Sequence, residues 1–105
     1  MIIFRLARNF PLEEKYSLVD QIRRSSRSVC TNIAEAWRKR KYAAHFTSKL
    51  SDSTAEGDET RVWLEVSLAC NYIDQKTFDD LDDRYDVILG QLVKMMSEPL
   101  NWTIK

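Results

Sequence analysis

The sequence predicts an all-α protein, an antiparallel up-and-down four-helix bundle with a shortened first helix. Its 105 residues suffice for one domain, residues 1–105, with a single core. Only two glycines and two prolines occur, which favours long helices over a sheet rich in turns. Apolar residues recur at i, i+3, i+4 and i+7 along most of the chain, which is the spacing of an amphipathic helix.

The first two helices are expected at residues 2–9 and 12–38, on either side of Pro11. Because the residue before a proline is pushed out of the α region, Phe10 marks the break between them. Pro11 then suits the first turn of the second helix, and the two glutamates that follow it favour the positive end of that helix.

The second helix combines an apolar stripe with an ordered polar border. The stripe consists of Leu18, Ile22, Val29, Ile33 and Ala36, with Ser25 among them. Uncharged polar groups cost about 1–3 kcal/mol each when they are buried without a partner. The border therefore predicts specific contacts between helices or subunits. The residues expected to make these contacts are Gln21, Arg23, Arg24, Ser28, Asn32, Glu35 and, from the third helix, Glu59.

A third helix is expected at residues 42–72, and it is apolar on two faces. The first face carries Phe46, Leu50, Ser53, Gly57, Thr60, Leu64 and Leu68. The second face carries Ala44, Ala55, Val62, Val66, Ala69 and Ile73. In so small a bundle, a helix with two apolar faces predicts self-association through the second and third helices. The alternative is that Val62 and Val66 are only lightly covered.

The fourth helix is expected at residues 75–98, with Asp74 as its N-cap and Pro99 as its stop. Its apolar stripe consists of Phe78, Leu81, Tyr85, Ile88, Leu89, Leu92, Met95 and Met96. Each fully buried member of this stripe contributes about 1.5–3 kcal/mol to folding.

Charge is segregated along the chain, although the net charge is zero. Residues 23–49 contain eight basic residues and one acidic residue, a net charge of +7, whereas residues 50–86 contain eleven acidic and three basic residues, a net charge of −8. Two interpretations stay open. The basic helix pairs with an acidic neighbour inside the bundle, or it offers a basic face to an anionic polymer.

Cysteine usage and hydropathy suggest a cytoplasmic protein with no membrane association. Cys30 and Cys70 fall inside helical patterns without metal-ligand spacing, so both are expected to be buried, reduced thiols. No apolar run approaches the roughly 20 residues of a membrane-spanning helix.

The expected hinge between the second and third helices is the best candidate for a binding site. The hinge is Arg38-Lys39-Arg40-Lys41, and the candidate site adds the aromatic residue on each side of it, Trp37 and Tyr42. Arginine and lysine neutralise phosphates, and an aromatic ring stacks on an unpaired base. The alternative is a solvated hinge in which Trp37 packs into the core.

Catalytic and metal-binding patterns are weak. The only histidine, His45, lacks the Glu-x-x-His spacing of a di-iron bundle, and no phosphate-binding loop can form from Gly57 and Gly90. Arg40 and His45 fit the Arg-x4-His pattern of HEPN-type ribonucleases, in which histidine is the acid or base and arginine stabilises phosphate charge. In a run of four basic residues this spacing is easily met by chance. No cofactor, metal or small-molecule substrate is expected.

Several segments resemble the signature of the 23S rRNA-intervening-sequence proteins. They are Phe10-Pro11, Glu14, Tyr16, Leu18, Gln21-Ile22-Arg23-Arg24-Ser25, Ser28-Val29 and Asn32-Ile33-Ala34-Glu35. A later segment, Glu59-Thr60-Arg61-Val62-Trp63-Leu64 with Cys70 and Tyr72, resembles one branch of that family. Two features depart from the family pattern. Only nine residues precede Phe10, where members usually carry a full helix, and Ala36 stands where they usually carry glycine.

The resemblance implies an antiparallel four-helix bundle that assembles into a ring-like homopentamer. It also implies kinship with the accessory protein of diversity-generating retroelements, a pentamer with basic surfaces that binds nucleic acid and a reverse transcriptase. The family has no established enzymatic activity. Together with the basic hinge, this predicts a non-enzymatic oligomeric adaptor for structured RNA or a ribonucleoprotein. The alternatives are a protein-binding scaffold and, third, a ribonuclease that uses Arg40 and His45.

Overall fold

The computed structural model describes residues 2–103 and consists of α-helices joined by short turns. The helices are α1 (Ile2–Ala7), α2 (Leu18–Arg38), α3 (Ala43–Ala69) and α4 (Gln75–Ser97). Short 3-10 helices occupy Leu12–Glu14 and Pro99–Asn101. The predicted all-α bundle with a short first helix is therefore confirmed.

The three long helices run up and down. Arg24, in the first half of α2, contacts Glu59 of α3, whereas Glu35, near the end of α2, contacts Lys49 of α3. Rising numbers on one helix therefore meet falling numbers on the next, which is antiparallel packing. The same holds for α3 and α4, since Arg61 contacts Asp82 and Gly57 lies against Leu89.

α3 lies in the middle of the bundle. It packs along both α2 and α4, while the α2 and α4 backbones, within the described residues, keep every pair of Cα atoms more than 8 Å apart. Side chains of α2, α3 and α4 still share two apolar clusters. In the first, Ile22, Leu64 and Leu81 come together, and α1 closes the cluster with Ile3 and Ala7. A second apolar cluster lies near the turn between α2 and α3 and contains Ala36, Phe46, Leu50, Leu89 and Leu92.

A layer of small and polar residues separates the two apolar clusters. Thr60 Oγ1 lies 2.8 Å from Ser25 Oγ, and Ser53 donates a hydrogen bond of 2.8 Å to the Val29 carbonyl. All three hydroxyl-bearing side chains are fully buried. Because each has a partner, α2 and α3 approach closely without leaving a buried polar group unsatisfied.

The start of α2 differs from the prediction. The helix begins at Leu18 rather than at residue 12, because residues 12–14 form a 3-10 turn and Ser17 has a non-helical backbone (φ −126°, ψ −98°). Glu14 anchors this segment, since it accepts hydrogen bonds from the hydroxyls of Ser17 and Tyr72. The contact with Tyr72 accompanies this non-helical segment, and because Tyr72 is distant in the chain, local periodicity gives no sign of it.

The remaining helix ends lie within a few residues of the expected ones. α1 ends at Ala7, α3 spans Ala43–Ala69 rather than 42–72, and α4 ends at Ser97. Asn71, with φ 61°, adopts the left-handed conformation that ends α3, and the Tyr72 N–H then donates to the Ser67 carbonyl at 2.9 Å. Asp74 caps α4 as predicted, accepting a 2.7 Å hydrogen bond from the Thr77 N–H.

Both cysteines are exposed, so the prediction of buried thiols is wrong. Cys30 lines a groove of about 490 Å³ between α1, α2 and α4, whose walls include Ile3, Leu81 and Ile88. The groove lies where the α2 and α4 backbones stay more than 8 Å apart on either side of α3, and α1 forms its third wall. In the same groove, burial raises the pKa of Tyr85 to about 12.

Candidate nucleic-acid interface

The turn between α2 and α3 presents the predicted basic segment at one end of the bundle. α2 ends where the Lys39 N–H donates to the carbonyls of Glu35 and Ala36, at 2.9 and 3.1 Å. Tyr42 then takes an extended backbone (φ −119°, ψ 112°) and becomes the N-cap residue of α3. Two tightly bonded helix ends therefore hold a short turn, here named the basic turn, of residues 37–42.

The aromatic side chains of the basic turn stay accessible. Trp37 is 51% exposed and Tyr42 is 56% exposed, so the alternative in which Trp37 packs into the core is wrong. The Arg40 guanidinium carbon lies 3.8 Å from the centre of the Trp37 ring, and the Lys41 ammonium lies 5.8 Å from that of Tyr42. Cation–π contacts of this kind order the side chains without neutralising their charge.

Within residues 2–103, no carboxylate lies within 4 Å of a charged nitrogen of Arg38, Lys39, Arg40 or Lys41. The nearest acidic residue along α2, Glu35, pairs instead with Lys49, at 3.1 Å. Hydrogen bonding to Lys49, followed by its charge, holds the pKa of Glu35 below its usual value, and the charges of Arg38 and Lys39 add to this effect. The basic turn therefore keeps its positive charge available for a ligand.

The polar residues of α2 predicted to make contacts do so in different ways. Arg24 bonds Glu59 at 2.6 Å and Glu56 at 3.2 Å on α3, and the Arg24 hydrogen bond lowers the pKa of Glu59. Arg23 donates to the Phe4 carbonyl of α1 at 3.0 Å. Part of the basic charge of α2 is thus paired with acidic residues of α3 inside the bundle.

The remaining residues of this predicted set divide between local and inter-helix contacts. Asn32 bonds the carbonyl and hydroxyl oxygens of Ser28 at 2.9 and 3.1 Å, within α2 itself. Glu35 reaches α3 through Lys49, and Gln21 is half-buried. Of these contacts, the Glu35–Lys49 pair crosses from α2 to α3, and the Asn32–Ser28 bonds stay within α2.

Two contacts were missed at the level of sequence. Arg61 forms a two-pronged pair with Asp82, at 2.8 and 3.1 Å, which joins α3 to α4. Lys49 provides the partner of Glu35. Both pairs cross between helices, so their only sequence signal is opposite charge at mirrored distances from a turn, and many residue pairs satisfy that.

The residues considered for chemistry have other partners in this structure. The Arg40 guanidinium stacks on Trp37, whereas the His45 ring meets Tyr42 edge-on with the ring centres 5.5 Å apart. Within the described residues, no three histidine, cysteine or acidic side chains gather where they could hold a metal ion. No helix in residues 2–103 is long and apolar enough to cross a membrane.

The fold and the site define a small all-α bundle whose basic turn, among residues 2–103, forms no ion pair with a carboxylate. The family model described as 23S rRNA-intervening sequence protein matches residues 1–94. The chain belongs to this family, and the resemblance noted in its sequence is confirmed. No curated protein sequence matches the chain.

Proposed function

We propose that this protein is a non-enzymatic, oligomeric adaptor that binds structured RNA or a ribonucleoprotein through the basic turn. The observation that carries the proposal is a run of four cationic side chains, flanked by exposed Trp37 and Tyr42, that form no ion pair with a carboxylate among residues 2–103. Phosphate attraction and base stacking are the two contributions that RNA-binding surfaces combine. The family description, which refers to 23S rRNA, supports RNA as the polymer.

Self-association is part of the proposal, and the outer face of α3 supports it. Val62 is 50% exposed there. Ala55, seven residues earlier on this face, is also exposed, and Val66, four residues later, is half-buried. A ring, for which a homopentamer is the expectation from the family, would present several copies of the basic turn to one RNA. Linked copies raise the effective concentration and so convert a modest site into a tight one.

The test is fluorescence anisotropy of labelled ribosomal RNA fragments, titrated with the protein at several salt concentrations. The variant Lys39→Glu/Lys41→Glu changes two side chains of the basic turn and leaves the Arg40–Trp37 stack in place. The matched control, Lys76→Glu/Lys94→Glu, makes the same charge change at exposed positions of α4. We expect the basic-turn variant alone to lose at least about tenfold in affinity, and its salt slope to fall by about 1 for each lost phosphate contact.

Equal loss of affinity in both variants would show that net charge, rather than the basic turn, governs binding. If the oligomeric protein binds no RNA at low salt, a protein-binding scaffold becomes the better explanation of its function. Cleavage of the labelled RNA that is abolished in the His45→Ala variant would instead identify a ribonuclease.

A further inference from the structure

We propose that a single RNA strand continues from the basic turn along the exposed side of α2. The surface concerned, here named the α2 stripe, consists of Arg23, Arg27, Thr31, Ala34 and Arg38. This inference rests on the proposed RNA binding and extends it in two ways. It adds a second contact surface, and it specifies single-stranded rather than duplex RNA.

The α2 stripe is a continuous line on one side of the helix. At about 100° per residue its five members fall within an arc of about 80°. At about 1.5 Å per residue they extend over about 22 Å, from Arg23 to Arg38 at the start of the basic turn. All but the half-buried Arg23 are exposed, and the short side chains of Thr31 and Ala34 let a polymer lie close to the helix.

The arginines of α2 divide into two sets by their partners. Arg24 turns toward α3 and is neutralised by Glu56 and Glu59. Arg23 and Arg27, like Arg38, have no carboxylate within 4 Å of a charged nitrogen in the part of the chain that the structure describes. Arg23 is partly engaged, since it donates to the Phe4 carbonyl and its Nε is buried. Asp20 lines the same depression as Arg23 and Arg27, so the charge of the α2 stripe that is free for a ligand rests on Arg27 and Arg38.

Phe4 of α1 holds the first two arginines in position. The Arg23 guanidinium carbon lies 4.1 Å from the centre of the Phe4 ring, and that of Arg27 lies 5.4 Å from it. A guanidinium that lies over a ring keeps donors at its edge for a phosphate, which applies to the exposed Arg27, whereas Arg23 gives one donor to the Phe4 carbonyl. Because these side chains are ordered before binding, less conformational entropy is lost when the RNA arrives.

A single strand fits this surface better than a duplex does. The α2 stripe ends beside Trp37, whose ring is half exposed, and Tyr42 follows across the turn. Proteins that bind single strands combine a positive track for the backbone with aromatic rings on which bases stack. Bases inside a duplex are already stacked and have no free face for these rings.

The experiment compares a labelled single strand of about 12 nucleotides, which is within the site size of known single-strand binders, with the duplex of the same sequence. The test variant is Arg27→Glu, and the matched control is Lys76→Glu, which makes the same charge change on α4. We expect the wild-type protein to prefer the single strand. We expect Arg27→Glu to weaken single-strand binding about tenfold and to lower the salt slope by about 1, whereas Lys76→Glu stays within about twofold.

The outcomes separate this inference from the proposed function. Suppose that the wild type binds RNA and that Lys39→Glu/Lys41→Glu impairs binding, but that Arg27→Glu behaves like Lys76→Glu. The assignment of RNA binding to the α2 stripe is then wrong, and the basic turn remains the binding site. Equal or tighter binding of the duplex overturns the assignment to a single strand. If wild-type protein binds no RNA, the proposed function itself fails. Arg27→Gln removes the charge without reversing it and replaces Arg27→Glu if circular dichroism shows that variant to be unfolded.

Discussion

Buried hydroxyl groups connect α2 to α3 at the scale of single residues. Thr60 Oγ1 lies within hydrogen-bond distance of both Ser25 Oγ, at 2.8 Å, and the Glu56 carbonyl, at 2.9 Å. Inside a protein such a bond contributes modestly to stability, but a hydroxyl left without a partner carries the full cost of lost hydration. The polar layer thus fixes the register of the two helices, because sliding them would strand these groups.

Replacing Thr60 by valine, which has the same shape but no hydroxyl, should lower the free energy of unfolding by about 1 kcal/mol. Chemical denaturation followed by circular dichroism measures this loss. Thr54→Val makes the same change on the same helix, where the hydroxyl bonds only the Ser51 carbonyl within its own helix. We expect that control to change stability by less than about 0.5 kcal/mol. Equal effects in the two variants would mean that helix propensity, and not the inter-helix bond, is responsible.

Sequence reasoning identified some of these residues and missed others for a physical reason. Ser25 stood out because it interrupts an apolar stripe, and Asp74 because a cap has a local signature; both interpretations agree with the structure. The exposure of Cys30 could not be predicted, because it depends on the distance between α2 and α4. That distance is a property of the assembled helices and not of the local pattern.

Glycine plays a packing role at the scale of helices. Gly57 of α3 lies against Leu89 of α4, so closely that a Cβ atom at position 57 would be 2.5 Å from Leu89 Cδ2. Gly90 has no such neighbour within 4 Å. The two glycines therefore separate the effect of helix propensity from the effect of packing.

Gly90→Ala should stabilise the protein by about 1 kcal/mol, because alanine costs less entropy than glycine in a helix. Gly57→Ala should gain the same propensity but overpack the α3–α4 contact, at a cost of about 1–3 kcal/mol. We expect a net loss of about 1 kcal/mol for Gly57→Ala. Thermal and chemical denaturation of both variants measure the difference. If Gly57→Ala proves as stable as Gly90→Ala, Leu89 moves aside freely and the close contact is not a constraint.

The elements themselves were predictable wherever their signals were local. α4 begins at Gln75, directly after the Asp74 cap, as the sequence indicates. The start of α2 was placed at residue 12 because a proline suits a first helical turn, but residues 12–14 form a 3-10 turn in which Glu14 accepts a hydrogen bond from Tyr72. Tyr72 is far away in the chain, so only the folded molecule reveals the contact. The basic turn was predicted correctly as the link between α2 and α3, since a run of like charges is visible in any sequence.

At the scale of the whole molecule, the outer face of α3 predicts assembly. Val62→Glu would place a charge in the middle of that face and should shift the protein toward monomer in sedimentation or light scattering, with helicity unchanged by circular dichroism. A buried carboxylate without a partner is strongly unfavourable, so even one substitution per copy is enough. Val87→Glu is the matched control, because Val87 lies on α4 and is at least as exposed as Val62 (60% against 50%). A monomeric wild type, or dissociation by Val87→Glu alone, contradicts assembly through α3.

The central position of α3 also sets how the protein opens. In the described part of the chain, α2 and α4 each pack along α3, whereas their own backbones stay more than 8 Å apart and meet only through side chains in the apolar clusters. Either outer helix can therefore detach while the other stays packed on α3, but loss of α3 removes the main packing surface of both. Opening energies should accordingly rise from the outer helices toward the middle one, whose backbone amides exchange with solvent only when the entire molecule unfolds. A ligand on α2 would add to the stability of that helix first and act on α4 mainly through α3.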